Sequence, residues 1–268
     1  MKKPTITFLQ FLLYAIILCI APPMTHAADG EKLINMAKVT TGGLTPGDAA
    51  GFPVTISQPG SYKLTGNLTV PNANTNAIVI TSDHVTVNLN GFAILGPTDC
   101  SGGLTPCANA GNGKGISTTD VHFNISIRNG TVQGMGFSGI ELSGDSNLVE
   151  YLHVRSNGKN GIVLFESLDE GSSIVQYNTV QRNGNYGIYV ENGMVSHNVV
   201  SVNGSGILLY VGIASNNVIT RNANFGLLLE PNASYVSNSL INNGGTVFSG
   251  INMGQNLCNN AVCVGSQY

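Results

Sequence analysis

Residues 157–164 read NGKNGIVL, and the pattern returns as NGNYGIYV at 183–190, NGSGILL at 203–209 and NANFGLLL at 222–229. Each copy has an Asn, a short polar link, and a small residue followed by apolar residues. The small residue recurs, with gaps of 22, 26, 19 and 20 residues, at Gly139, Gly161, Gly187, Gly206 and Gly226. A period in this range predicts a solenoid in which each repeat stacks on its neighbours.

The apolar residues after each small residue predict strands rather than helices. The first apolar position holds Ile78, Ile116, Ile140, Ile162, Ile188, Ile207, Leu227 and Ile251. Two residues further on are Ile80, Thr118, Leu142, Leu164, Val190, Leu209, Leu229 and Met253. Positions two apart share one face of a strand, so like residues of successive turns should stack about 4.8 Å apart inside the coil. Counting Ala77, Gly115 and Gly250 as further small residues, the pattern predicts about eight turns.

Two columns of Asn mark the predicted turns. The first column contains Asn157, Asn183, Asn203, Asn222 and Asn243. A second, shallower column contains Asn178, Asn198, Asn217 and Asn238. Asn tolerates the left-handed conformation that a sharp turn requires, and stacked amides can bond to one another along the axis. We therefore expect a structural Asn ladder and not a ligand site.

These G-I-x-L rows and N-G turns resemble the pectin-lyase-like superfamily over roughly residues 50–253. The segments GFPVTISQPGSYKLTGNLTV, HVTVNLNGFAILGP and ISIRNGTVQGMG further resemble exported bacterial β-helix repeat proteins, most without an assigned activity. The resemblance implies an all-β fold, namely a right-handed parallel β-helix with a short N-terminal cap, and it implies polysaccharides as ligands. Leucine-rich repeats and calcium β-rolls are excluded, because L-x-x-L-x-L and GGxGxD motifs are missing.

The chain divides into four predicted segments. Residues 1–27 have the positive start, apolar middle and terminal small residue of a signal peptide. Residues 28–50 are the N-terminal cap, with a short helix over 31–38; residues 51–253 are the β-helix; and residues 254–268 are a C-terminal cap. We expect an exported protein, periplasmic, cell-surface or secreted, with no membrane span after cleavage. An uncleaved anchor is the alternative, because the apolar run is only slightly shorter than the ~20 residues of a span.

Composition and cysteine spacing agree with export. Only 9% of residues are charged, and removing Lys2 and Lys3 takes the formal net charge from −3 to −5, so nucleic acid and anionic membranes are poor partners. The remaining cysteines form two local pairs that predict disulfides rather than a metal site: Cys100 with Cys107, and Cys258 with Cys263. The insertion over residues 99–113 should leave the solenoid as a loop.

The acidic residues concentrate in the longest of the regular repeats. Glu166, Asp169 and Glu170 lie there, with Glu191 one turn along. Paired carboxylates can serve acid–base chemistry on glycosides or bind Ca²⁺ through oxygen ligands. A solvated acidic loop is the structural alternative. We expect no cofactor and no resident metal, with Ca²⁺ at this cluster as the one exception to be tested.

Outward positions beside the small residues form an apolar stripe. It contains Phe165, Tyr189, Leu208, Tyr210 and Leu228. Such a stripe is covered by another segment, serves as a sugar-contact platform through Tyr189 and Tyr210, or is a self-association face.

The predicted positions of the basic residues weaken a lyase mechanism. Arg155, Lys159 and Arg182 should lie near the Asn turns, on a different edge from Glu191, whereas a lyase needs a base close to its substrate. The sequence assigns no catalytic residue and leaves open whether the protein is an enzyme. Two functions remain: an exported protein that binds or processes polysaccharide, and a non-catalytic surface or envelope protein that is structural or adhesive.

The predicted interior column can be tested by Ile207→Asp. A carboxylate buried between stacked turns has no partner, so soluble protein should not accumulate. Export yield and protease resistance measure the effect, and normal yield of a protease-resistant variant would show that the column is misassigned.

Overall fold

The structure is a computed structural model that describes residues 30–100, 106–166 and 171–263. From Glu31 onward these residues form one β-solenoid of about nine turns. The predicted signal peptide lies outside the described residues, as do Asp169 and Glu170. Within the described ranges, no helix has the length and apolar character needed to cross a membrane.

Short strands make up most of each turn. Numbered in chain order, they are β1 (Lys32–Ile34), β2 (Val54–Ile56), β3 (Gly60–Leu64), β4 (Leu68–Thr69), β5 (Ile78–Ile80), β6 (Val85–Asn88), β7 (Ala93–Leu95), β8 (Ile116–Thr118), β9 (Ser126–Gln133), β10 (Ile140–Ser143), β11 (Leu148–Arg155), β12 (Ile162–Phe165), β13 (Ser173–Gln176), β14 (Thr179–Gln181), β15 (Tyr186–Ser196), β16 (Val199–Ser201), β17 (Ser205–Ser215), β18 (Val218–Thr220), β19 (Phe225–Leu229), β20 (Ala233–Val236), β21 (Ser239–Ile241), β22 (Gly245–Phe248), β23 (Ile251–Asn252), β24 (Leu257–Cys258) and β25 (Ala261–Val262). A short helix, α1, spans Met36–Thr41.

The strands form three parallel sheets that run the length of the solenoid. The first sheet contains β2, β5, β8, β10, β12, the first halves of β15 and β17, β19 and β22. The second contains β1, β3, β6, the first halves of β9 and β11, β13, the second halves of β15 and β17, β20 and β23. The third contains β4, β7, the second halves of β9 and β11, β14, β16, β18, β21 and β24.

The predicted interior column is confirmed over most of its length. Ile162 pairs with Ile188, Ile188 with Ile207, and Ile207 with Leu227, and all four side chains are fully buried. Val54 adds a turn before Ile78, which brings the count to about nine rather than eight.

The last member of each interior column was predicted wrongly. Val247, not Ile251, pairs with Leu227, and Ile251 pairs with Ser234 in the second sheet. Ile251 and Met253 are 57% and 61% exposed. The motif S-G-I at 249–251 looks like the earlier rows, but the preceding segment GTVF has already occupied the first sheet.

The N-terminal cap also differs from the prediction. Lys32–Ile34 form a strand that pairs with β3, and Ile34 is fully buried. The helix begins only after Asn35, whose side chain accepts a hydrogen bond from the Lys38 N–H at 3.0 Å. An Asn in this position satisfies one of the free N–H groups of a first helical turn, so the helix starts there rather than at residue 31.

Both Asn columns form continuous hydrogen-bonded ladders. The Nδ2 of Asn183 donates to the Oδ1 of Asn203 at 3.0 Å, and the same oxygen accepts the Asn183 backbone N–H at 2.9 Å. The equivalent bonds join Asn157, Asn183, Asn203, Asn222 and Asn243. The second ladder joins Asn178, Asn198, Asn217, Asn238 and Asn256, of which the sequence analysis missed the last. The second ladder is as buried as the first, so its description as shallower was wrong.

The left-handed residue at each turn is the one before the ladder Asn. Tyr177 and His197 have φ values of 54° and 57°, and Arg182 and Arg221 have values of 58° and 54°. The turn directs these side chains outward, and the following Asn inward. At the corner between the second and third sheets the outward rings stack. The centroid of the Tyr177 ring lies 5.2 Å from that of Tyr151 and 4.9 Å from that of His197.

The glycine of the N-G dipeptide permits close stacking of the corners. A Cβ on Gly184 would lie 2.2 Å from the Gly158 carbonyl oxygen and 2.4 Å from that of Cys107. The insertion over residues 99–113 was predicted to leave the solenoid, but its described part packs on this corner: Ala110 N–H donates to the Gly136 carbonyl at 3.2 Å.

The disulfides predicted from cysteine spacing are present. Cys100 bonds to Cys107, and Cys258 bonds to Cys263. The second bond closes a hairpin in which β25 returns antiparallel to β24. Nearby, the Nδ2 of Asn256 donates to Asn252 Oδ1 at 2.9 Å, within its own turn.

The ladder should contribute strongly to stability, which Asn203→Ala tests. The change leaves the buried N–H and Nδ2 of Asn183 without their acceptor, so we expect the free energy of unfolding to fall by about 2–4 kcal/mol. Urea denaturation measures this. Asn224→Ala, at an exposed side chain outside the ladders, is the control and should change stability by less than about 0.5 kcal/mol. Equal effects of the two changes would contradict a stabilising ladder.

Candidate functional site

Two neighbouring cavities follow the outer face of the first sheet. The larger, about 410 Å³, is lined by Asn76, Asn112, Lys114, Phe137 and Glu141. The smaller, about 240 Å³, is lined by Phe137, Glu141, Lys159, Asn160, Phe165, Asn185, Tyr186 and Tyr189. Since both include Phe137 and Glu141, they form one groove, which we call the first-sheet groove.

Two lysines flank an aromatic ring in this groove. The Nζ of Lys159 lies 4.3 Å from the centroid of the Phe137 ring, and that of Lys114 lies 5.8 Å from it. Lys114 also forms an ion pair with Glu141. Within the described residues Lys159 has no carboxylate partner. The groove therefore offers a cation beside an apolar ring, with a carboxylate one turn away.

Lys159 lies at an Asn turn, on the opposite edge of the first sheet from Glu191, as predicted, but its side chain faces the groove. Arg155 and Arg182 also lie near the Asn turns. The link from Asn157 to Gly161 crosses the corner from the third sheet to the first and carries Lys159 with it. The backbone N–H of Lys159 donates a hydrogen bond to the Phe137 carbonyl oxygen at 2.9 Å. Arg155 and Arg182 line a different cavity at the end of the third sheet.

Tyr189 is the centre of an aromatic cluster at the C-terminal end of the groove. Its ring stacks on Tyr210 with centroids 5.7 Å apart and an interplanar angle of 26°. Phe165 and Tyr186 meet it edge-on at 5.4 and 5.9 Å. Tyr210 remains 40% exposed. The cluster continues the groove with a ring surface open to solvent.

The apolar stripe predicted on this face is partly covered. Leu208 lies in register with Tyr189, as does Val163 one turn earlier. Both are buried, Leu208 with 6% of its surface exposed and Val163 with none. The rings and polar side chains around them, rather than these aliphatic residues, form the accessible surface.

Glu191 connects the aromatic cluster to the acidic loop. Its Oε1 accepts the Tyr189 hydroxyl at 3.0 Å, and its Oε2 accepts the Glu166 backbone N–H at 2.9 Å. Burial, together with the hydrogen bond to this carboxylate, raises the pKa of Tyr189 far above its ordinary value, so the hydroxyl stays protonated. Glu191 therefore positions both the ring and the start of the loop.

Glu166 is the carboxyl at this site whose ionisation departs from the ordinary value. Burial raises the pKa of its carboxyl to about 7, and the charges of Asp145 and Glu191 add to the increase, while a hydrogen bond from Asn192 opposes it. Within the described residues its Oε1 is buried without a hydrogen-bond partner. A carboxyl with this pKa exchanges a proton near neutral pH, as a general acid or base must.

The predicted acidic cluster is brought together only in part. Glu166 and Glu191 are adjacent, and Asp169 and Glu170 lie outside the described residues. In the described ranges no three His, Cys, Asp or Glu side chains converge as a metal site would require. Two carboxylates supply fewer oxygens than the six to eight that Ca²⁺ takes, so Ca²⁺ binding stays a prediction.

Phe137 and Lys114 were not predicted as site residues from the sequence. Phe137 and Lys159 each lie two residues before a small residue of the repeat, as does Asn185, and the three stack in successive turns. The signal for the groove in the sequence is therefore this column of corner positions, two residues before each small residue, rather than the outward strand positions.

Comparison with known proteins identifies the family. The family model for the right-handed β-helix region matches residues 56–214, more than half of the chain. No curated protein sequence gives a significant match.

Similar solved structures share the fold at low sequence identity. A mutant of the periplasmic alginate epimerase AlgG has 17% identity and a TM-score of 0.54, covering 76% of this chain and 56% of that one. AlgG itself has 15% identity and a TM-score of 0.48, covering 78% and 63%. The Dettilon tailspike protein has 15% identity and a TM-score of 0.48, covering 70% and 46%. The chain thus spans less than two thirds of these proteins, and the likeness concerns the fold alone. The chain belongs to the right-handed parallel β-helix family.

Proposed function

We propose that the protein is an exported polysaccharide-binding β-helix whose ligand lies along the first-sheet groove. The observation that carries this is the groove lined from Lys114 through Phe137 and Lys159 to Tyr189, on whose ring the exposed ring of Tyr210 stacks. Four steps between turns separate the two ends, which corresponds to ~19 Å at strand spacing. Such a length suits a chain of several sugar units rather than a single small molecule.

The lining chemistry matches a sugar chain. Aromatic rings offer an apolar face with a polar edge, which suits the alternating C–H and hydroxyl surfaces of a sugar. Asn160, Asn185 and Glu141 supply hydrogen-bonding groups between the rings, and Lys159 supplies a charge. The alginate epimerase with the same fold is named for a polysaccharide, which supports this ligand class by analogy only.

Acid–base catalysis on the bound chain is a second candidate function. It is favoured by the position of Glu166 beside Glu191, where burial raises the pKa of the Glu166 carboxyl to about 7. A protonated Glu166 could donate to a leaving oxygen and the ionised form could accept a proton. If no chemistry occurs, the same groove serves an adhesive or structural protein of the cell surface or periplasm.

Polysaccharide binding is tested with Tyr210→Ala. Removing the exposed ring should weaken binding to the preferred polysaccharide about tenfold, which is about 1.4 kcal/mol. Affinity electrophoresis against a panel of acidic and neutral polysaccharides, with and without Ca²⁺, provides the measurement. Reducing ends and unsaturated products, followed in parallel, report any catalysis.

Tyr177→Ala is the matched control for this experiment. Its ring is also exposed and stacked, but it lies at the corner between the second and third sheets. We expect unchanged binding. The proposal fails if no polysaccharide of the panel binds, or if the two substitutions weaken binding equally.

The ionisation of Glu166 is tested through stability. The folded protein keeps this proton up to about pH 7, whereas the unfolded chain releases it near the ordinary value of 4.5, so unfolding becomes easier as the pH rises between these values. Glu166→Gln removes the titrating carboxyl and with it this loss of stability. Since the group is partly exposed, the free energy of unfolding of the variant relative to that of the wild type should increase by about 1–2 kcal/mol from pH 4.5 to pH 8.

Urea midpoints across this pH range measure the gain. Glu230→Gln, which removes an exposed carboxylate, is the control, and its gain in stability should be smaller than that of Glu166→Gln. Parallel stability curves for wild type and Glu166→Gln would show that Glu166 titrates normally.

A further inference from the structure

A separate cavity of about 230 Å³ lies at the end of the third sheet. Its polar lining residues are Thr98, Asp99, Gln133, Arg155, Ser156 and Arg182. None of them lines the first-sheet groove. The polysaccharide proposal therefore leaves this cavity without a role.

The wall of the cavity is fixed by backbone and disulfide contacts. The N–H groups of Gly96 and Thr98 donate to the carbonyls of Gln133 and Gly134, each at 2.8 Å. Cys100 is bonded to Cys107, and both sulfur atoms lie against the Ser156 carbonyl oxygen, at 3.2 and 3.5 Å. The segment after β7 is thereby held against the turns that carry the arginines. A ligand would meet a cavity that is already formed.

Two arginines from successive turns supply its positive charge. Arg155 donates its Nε to Gln133 Oε1 at 2.8 Å, which orients the guanidinium and leaves its terminal NH₂ groups for other partners. Within the described ranges, neither Arg155 nor Arg182 forms an ion pair. Guanidinium groups match the geometry of carboxylate, phosphate and sulfate oxygens.

We propose that the cavity binds a small ligand or chain end that bears an oxyanion, held by the guanidinium groups of Arg155 and Arg182. The volume admits one charged group with a small body. The exposed carboxylate of Asp99 also lines the cavity and opposes an anion, so Asp99→Asn should tighten binding.

The purified protein is titrated with inorganic phosphate, sulfate and glucuronate at constant ionic strength, with glucose as the neutral reference. Calorimetry should show saturable binding of at least one oxyanion and none of glucose; the comparison of the three identifies which oxyanion is preferred. Arg182→Gln should weaken that binding at least tenfold. Arg221→Gln is the matched control, because Arg221 occupies the same kind of corner position two turns on but lies outside the cavity, and it should change affinity less than twofold.

Two results would overturn the proposal: no saturable binding of any of the three anions to the wild-type protein, or equal weakening by Arg182→Gln and Arg221→Gln, which would indicate surface charge only. Melting curves without ligand show whether each variant is folded.

Discussion

Hydrogen bonding between one turn and the next is the constraint on which this structure depends. A single turn has too few residues to enclose a core, so every turn requires the backbone groups of its neighbours. The Asn ladders extend this requirement into the interior, since each Oδ1 accepts two donors from the preceding turn. Polar residues such as Asn203 can therefore be fully buried, because their hydrogen bonds to the neighbouring turns compensate for the hydration that they lose.

This constraint explains why the fold could be predicted from the sequence. Stacking places the same residue type at the same position in every turn, so Ile162, Ile188 and Ile207 appear in the sequence as a period. It also explains the failure at Ile251. A short motif indicates the side-chain pattern of a strand but not the sheet to which the strand belongs. The sheet depends on which earlier residues of the same turn form the preceding strand; here Val247 already lies in the first sheet, so Ile251 falls in the second.

The candidate site was predictable where its residues lie in one strand or in paired strands. Tyr189 and Glu191 are two residues apart, and Tyr210 follows one turn later. Lys159 was not assigned to the groove because the direction of its side chain depends on the path of a corner, which apolar periodicity does not describe. The arginine cavity could not be predicted at all, since it requires the contact of the segment at 96–100 with turns some 40 to 80 residues later in the chain.

The hairpin at the C-terminus bears on how molecules of this protein can meet. A parallel ladder that ended in free donors and acceptors would be a template for a second molecule, as unpaired strand edges are. Here the third sheet ends instead in a strand of opposite direction, and the last amide of its ladder, Asn256, is satisfied within its own turn. Within the described residues, the third sheet therefore offers no parallel edge at this end on which a second molecule could continue the ladder.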